Sequence, residues 1–198
     1  MKTKSEQTTD YIIQTVAPIF NKKGYDSTSL SDIVALTGLT KGAVYGNFES
    51  KEDLAVKVFL YNVKRMKTAL SNYLSSAKNP TEQLNLLTNY YREYYDNMFD
   101  FGGCPILNVT VDAKNVNPVL YELGCIEAKK MEYKLAVIIQ NGIVNGEFKS
   151  DINHETIAKN MYSMIEGCVF TAFTHQDKTY ISNMMDLLEE YIQNKIVV

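Results

Sequence analysis

The chain has 198 residues, 45% apolar and 22% charged, a balance that supports a packed core and excludes a disordered polymer. Three cysteines, four prolines and ten glycines exclude a secreted disulfide scaffold, a collagen and a turn-rich β-sandwich, and no run of about 18 apolar residues is present to cross a bilayer. The net charge of −3 is unevenly placed: residues 1–65 carry +2 and residues 66–198 carry −5, so only the first third suits a polyanionic partner.

The opening Met1-Lys2-Thr3-Lys4-Ser5-Glu6-Gln7 is polar and reads as no signal peptide. Together with the low cysteine count, this places the expectation in the cytoplasm. Helical periodicity then runs through the chain and no segment alternates in the manner of a strand, so the expected fold class is all-α. Tyr11, Ile12, Val16, Ile19 and Phe20 lie at helical spacing ahead of Gly24, and Pro18 predicts a bend near residues 14–18. A short helix starts at Ser29, carries Leu30, Ile33 and Val34 and breaks at Gly38, with Asp32 adding negative charge to its first turn. A second starts at Thr40 and holds Ala43, Val44, Tyr45 and Phe48. A third starts at Ser50, with Asp53 placed as in a capping box, and runs through Leu54, Val58, Tyr61 and Met66 toward Ser75. Helix, glycine turn, helix is the geometry of a helix-turn-helix.

Beyond residue 78 the expected helices lengthen. Asn79-Pro80-Thr81-Glu82 opens one that ends near Gly102-Gly103, Pro105 opens another over about 105–113, and Asn117-Pro118 opens a long one to Asn145 that contains Gly124 and Gly142. The last two run over about 153–175 and 179–196. The seam between domains is expected near residues 62–78, within or just after a helix.

The stretch from Thr28 to Asp53 carries the functional signal. Ile33, Leu39, Val44 and Phe48 can form one small core, while Thr40, Lys41, Gly42, Tyr45, Gly46 and Asn47 face outward on a slim, polar surface that a groove could accept. Lys51 opens the next helix, where a cation opposes the helix dipole and calls for an external anion. Phe20, Gly24-Tyr25, Thr28-Ser29, Asp32-Ile33, Gly38, Lys41-Gly42, Tyr45, Phe48 and Ser50-Lys51-Glu52-Asp53-Leu54 occur in the order seen in the DNA-binding domain of the TetR family of bacterial transcriptional regulators, which this segment closely resembles over residues 8–56. The remainder is similar in length, helix count and the Gly102-Gly103-Cys104-Pro105 loop.

The resemblance implies a nine-helix homodimer: a helix-turn-helix domain over residues 1–56, with the motif at about 29–48, and an effector-binding and dimerisation domain over 57–198. It implies a repressor that a small-molecule effector releases from a palindromic double-stranded DNA operator, with the last two helices pairing across the dimer. Carried over by position, Ser29, Thr40, Lys41, Gly42, Tyr45, Asn47 and Lys51 would contact DNA. Tyr45 and Lys51 would touch mainly phosphate, and Lys41 and Asn47 would reach base edges. Gly46 stands where the family often has an aromatic residue or His, and Val34 where Ala is usual; the first departure bears on base specificity.

Tyr and Met stripes in the second part mark either core or an effector cavity, and Tyr94, Asn108, Met131 and Met164 are the candidate cavity residues. Cys104 precedes a helix start and is the candidate reactive thiol, against the blander reading of Cys104, Cys125 and Cys168 as small buried hydrophobes. No metal set, cofactor motif or catalytic constellation is found, so no enzyme is expected. The alternative reading is a helical small-molecule-binding protein or enzyme that has lost DNA binding.

Overall fold

The structure, a computed structural model, describes residues 3–198. Nine α-helices make up most of the described chain, and its single β feature is an isolated bridge between Phe148 and Val197. α1 (Lys4–Lys23) starts at a reciprocal cap: the Thr3 hydroxyl accepts the Glu6 N–H and the Glu6 carboxylate accepts the Thr3 N–H. It continues through Pro18 as one helix and ends at Gly24, where φ is +84°. α2 (Leu30–Thr37) opens on the same device between Ser29 and Asp32 and closes at Gly38 in the left-handed region, the sharp turn that leads into α3 (Lys41–Tyr45). α4 (Lys51–Leu74) follows. Asn79 caps α5 (Pro80–Met98), whose last turn tightens into a 3₁₀ turn over Phe99–Phe101. α6 (Pro105–Ala113), α7 (Pro118–Val144), α8 (His154–His175) and α9 (Thr179–Tyr191) complete the chain, with a π turn at Ile192–Ile196.

Gly124 and Gly142 do not interrupt α7. A Cβ at Gly124 would run into the Thr110 hydroxyl, and one at Gly142 into the Phe148 ring, so neighbouring side chains press close to the helix backbone at both places.

The chain divides into two compact units that are not contiguous in sequence. The first takes the residues up to Met66 together with Asp100–Cys125. Its core holds Ile12, Val16 and Phe20 of α1, Ile33, Val44 and Phe48 of the helix-turn-helix, and Val58 and Phe59 of α4. Leu39, expected in that core, is only half-buried. Asn62 Nδ2 donates to the Ala17 carbonyl at 3.1 Å, a bond that ties α4 to α1. Asn21 Nδ2 donates to the carbonyls of Phe101 and Gly103, and Asn108 Nδ2 to those of Asn21 and Gly102. These amide bridges explain why the segment after α5 joins the first unit, a grouping that a single linear division after residue 56 does not contain.

The second unit takes Lys67–Phe99 and Ile126–Val198. α9 buries Ile181, Met185 and Leu188 against α5 and α8, which contribute Leu84, Leu87, Met161 and Ile165. Arg92 pins α5 to α9 by ion pairs to Asp186 and Glu189, each at 2.6 Å.

Candidate functional site

The second helix of the helix-turn-helix, α3, is very short. Thr40 caps α3 by accepting the Ala43 N–H, and Val44 anchors its inner side in the core. The outer side presents Lys41, Gly42 and Tyr45 to solvent, with Tyr45 48% exposed and the Lys41 ammonium 5.8 Å from the centre of its ring. Gly42 has no left-handed backbone, and a Cβ placed on it would meet nothing within 4 Å. Glycine inside a helix costs about 1 kcal/mol relative to alanine. Neither internal packing nor backbone conformation accounts for that cost here.

The flanking residues are held differently. Ser29 is exposed, but its hydroxyl is engaged with Asp32, accepting the Asp32 N–H and donating to the carboxylate. The bonds from Ser29 hold the Asp32 carboxyl below the usual range. Lys51 lies over the Tyr25 ring, 4.5 Å from its centre, with the Asp26 carbonyl 3.4 Å from its ammonium. The charge that opposes the α4 dipole therefore has partners within the unit. Nothing local in the sequence marks Tyr25 as the support of that cation.

Asn47 makes its hydrogen bonds within the unit. Its Nδ2 donates to the Ala43 carbonyl at 2.6 Å, and its Oδ1 accepts from Thr9 at 2.9 Å and Ser5 at 3.4 Å. The amide thus fastens the end of α3 to α1. The exposed residues of this stretch are Thr40, Lys41, Gly42, Tyr45 and Gly46, and Lys51 at the start of α4 is half-buried.

A cavity of about 500 Å³ lies within the second unit. Leu70 and Leu74 of α4, Leu87 and Tyr91 of α5, Met131, Leu135 and Ile138 of α7, and Tyr162 and Ile165 of α8 form most of its wall. Lys67, Ser71, Gln83 and Lys134 supply polar groups. Of the four candidate cavity residues, Met131 stands in this wall. Tyr94 is buried in the tyrosine cluster of α5, 5.4 Å from the Tyr91 ring, and Met164 is half-buried on α8; neither is among the described lining residues. Asn108 belongs to the first unit, where its amide bridges Asn21 and Gly102. A second, more polar depression of about 720 Å³ is walled by Lys129, Lys159, Glu132 and Glu155, whose opposite charges offset one another.

Cys104 and Cys168 are buried and Cys125 is half-buried. Burial, reinforced by the Glu166 carboxylate, pushes the Cys168 thiol up to about 12. Among the described residues, no group of three or more His, Cys, Asp or Glu side chains is arranged to hold a metal, and no helix is long and apolar enough to cross a membrane.

Residues 12–58 match the family of bacterial regulatory proteins named for tetR, and residues 80–188 match the tetracyclin repressor-like C-terminal domain. Among solved structures, a TetR-family transcriptional regulator from Cytophaga hutchinsonii is 32% identical with a TM-score of 0.92, covering 100% of this chain and 99% of that one. A TetR transcriptional regulator from Chloroflexus aurantiacus J-10-FL is 29% identical with a TM-score of 0.93, covering 98% of each chain. The HTH-type transcriptional regulator YxaF of Bacillus subtilis (strain 168) is 24% identical over 185 residues, 93% of this chain and 94% of that protein.

Proposed function

The chain belongs to the TetR family of bacterial regulatory proteins, and from that premise we propose that it is a homodimeric repressor whose α3 surface enters the major groove of a palindromic operator. The observation that carries the reading is Gly42, a helical glycine with empty space beside it, set between the exposed Lys41 and Tyr45. Tyr45 and Lys51 bind phosphate, Lys41 reads base edges, and Thr40 orders the helix start. The two recognition helices of a dimer would sit about 34–36 Å apart, one turn of the duplex.

α8 and α9 form the dimer face in this proposal. Phe170 and Leu187 remain more than half exposed on these helices, and Gly167 leaves room for a close neighbour. The functional division follows residues 1–56 for DNA and 57–198 for effector and partner, and the protein acts in the cytoplasm. An effector held in the second-unit cavity binds better to the conformation that does not fit the operator. That difference in affinity lowers operator binding by a coupling of about 1–3 kcal/mol.

Selection of duplexes from a random-sequence library by the purified protein tests this reading. A motif with twofold symmetry is expected to emerge. Failure to enrich any sequence over several rounds, from protein shown to be folded, would overturn it.

A further inference from the structure

We propose that the second-unit cavity takes an amphipathic organic anion: an apolar body carrying one carboxylate-class head. The inference rests on the reading of this cavity as the effector site and adds the chemical class of its occupant.

The charged residues among those described as lining the cavity are Lys67 and Lys134, and no carboxylate is among them. Glu127 lies behind Lys67, buried, and pairs with both Lys67 and Lys130, the latter at 2.7 Å. One carboxylate therefore serves two ammonium groups, and this end of the cavity keeps a positive surplus. Lys134 stands one helical turn beyond Lys130 on α7, and no ion pair involves it among the described residues. An anionic head would meet Lys134 and the surplus around Lys67, while a cationic head would find repulsion and no carboxylate among the lining residues.

The rest of the wall is apolar or aromatic. Leu87, Met131 and Ile165 are buried, and the cavity volume lies in the range that suits a small organic ligand. Burial of the body supplies affinity, and the head selects orientation and class.

Three probes of one shape separate the possibilities: naphthoate, naphthalenemethanol and naphthylmethyl-trimethylammonium, each titrated calorimetrically into the full-length protein and into Lys134→Glu. Lys134 is exposed, so the variant is expected to fold. Naphthoate should bind at least about tenfold more tightly than the alcohol, with the cation weakest. Lys134→Glu should abolish that preference and improve binding of the cation while leaving the alcohol nearly unchanged. If the alcohol or the cation binds wild-type protein as well as naphthoate does, the anion proposal is overturned while the cavity reading stands. If the order of the three is the same in Lys134→Glu, the head does not face this wall and the proposal is overturned. If none of the three binds, the reading of the cavity as a site for such ligands fails as well.

Discussion

Asp112 of α6 accepts the backbone N–H of Tyr25 through Oδ2 at 2.8 Å, and Tyr25 in turn carries the Lys51 ammonium on its ring. α6 thereby helps to set the position of a proposed phosphate-binding cation through the residue that supports it. The fit is close: a Cβ on Gly24 would lie 2.7 Å from an Asp112 carboxylate oxygen, and the φ of +84° there favours glycine independently.

Asp112→Ala should leave the Tyr25 N–H without its acceptor and cost about 1–2 kcal/mol in a urea titration, whereas Asp112→Asn, which retains an acceptor oxygen, should keep most of the stability. Operator affinity measured well below the melting temperature should fall for Asp112→Ala and be largely preserved for Asp112→Asn. Equal affinities for wild type and Asp112→Ala would show that Tyr25 holds Lys51 unaided.

Gly42→Ala should move stability and function in opposite directions. Helix propensity favours alanine by up to about 1 kcal/mol, so the melting temperature should rise or hold. The added methyl points into the space that DNA is proposed to occupy, so operator affinity should drop. A variant that binds the operator as tightly as wild type would remove the reason given for this glycine.

Protonation should weaken the second unit through Glu127. Burial alone would raise its pKa, but hydrogen bonds from Lys130 and Lys67 outweigh burial and hold the carboxyl below its ordinary value of 4.5. A carboxylate with a depressed folded pKa contributes stability that is present above the unfolded value and lost as pH falls through the folded one. Stability measured by denaturant titration should therefore decline below about pH 4.5, and Glu127→Gln should reduce that decline while costing about 1–2 kcal/mol at neutral pH, less than a fully buried pair because both lysines are partly exposed.

The thiols should react in order of access. At pH 8 the Cys168 thiol is protonated as well as buried, so maleimide should label Cys125 first and reach Cys104 and Cys168 only as the protein unfolds. Rapid labelling of Cys104 in the folded protein would restore the reactive-thiol reading that its place before α6 suggests.

Much of the fold was legible because its signals are local. The Ser29–Asp32 cap, the Gly38 turn, the Asn79-Pro80 start and the extent of α6 each depend on a few neighbouring residues. What the sequence did not disclose depends on contacts far along the chain. Asn47 has the chemistry of a base reader, but Thr9, 38 residues earlier, claims its carbonyl oxygen. Asn108 resembles a cavity residue in composition, yet its amide is committed to Asn21, 87 residues away. Met131 reaches the cavity wall while Met164, on another helix with a similar stripe, does not, because helix rotation decides which side of a stripe meets the void.

The most direct test is the salt dependence of binding to the selected operator, compared between wild type, Lys51→Ala and Lys41→Ala by fluorescence anisotropy. Wild type should lose affinity steeply as salt rises, and Lys51→Ala should bind more weakly to every sequence, with a log–log slope shallower by about one unit. Lys41→Ala should in addition lose preference for the operator over a scrambled duplex. Affinities and slopes unchanged in both variants would contradict the assignment of this surface to DNA.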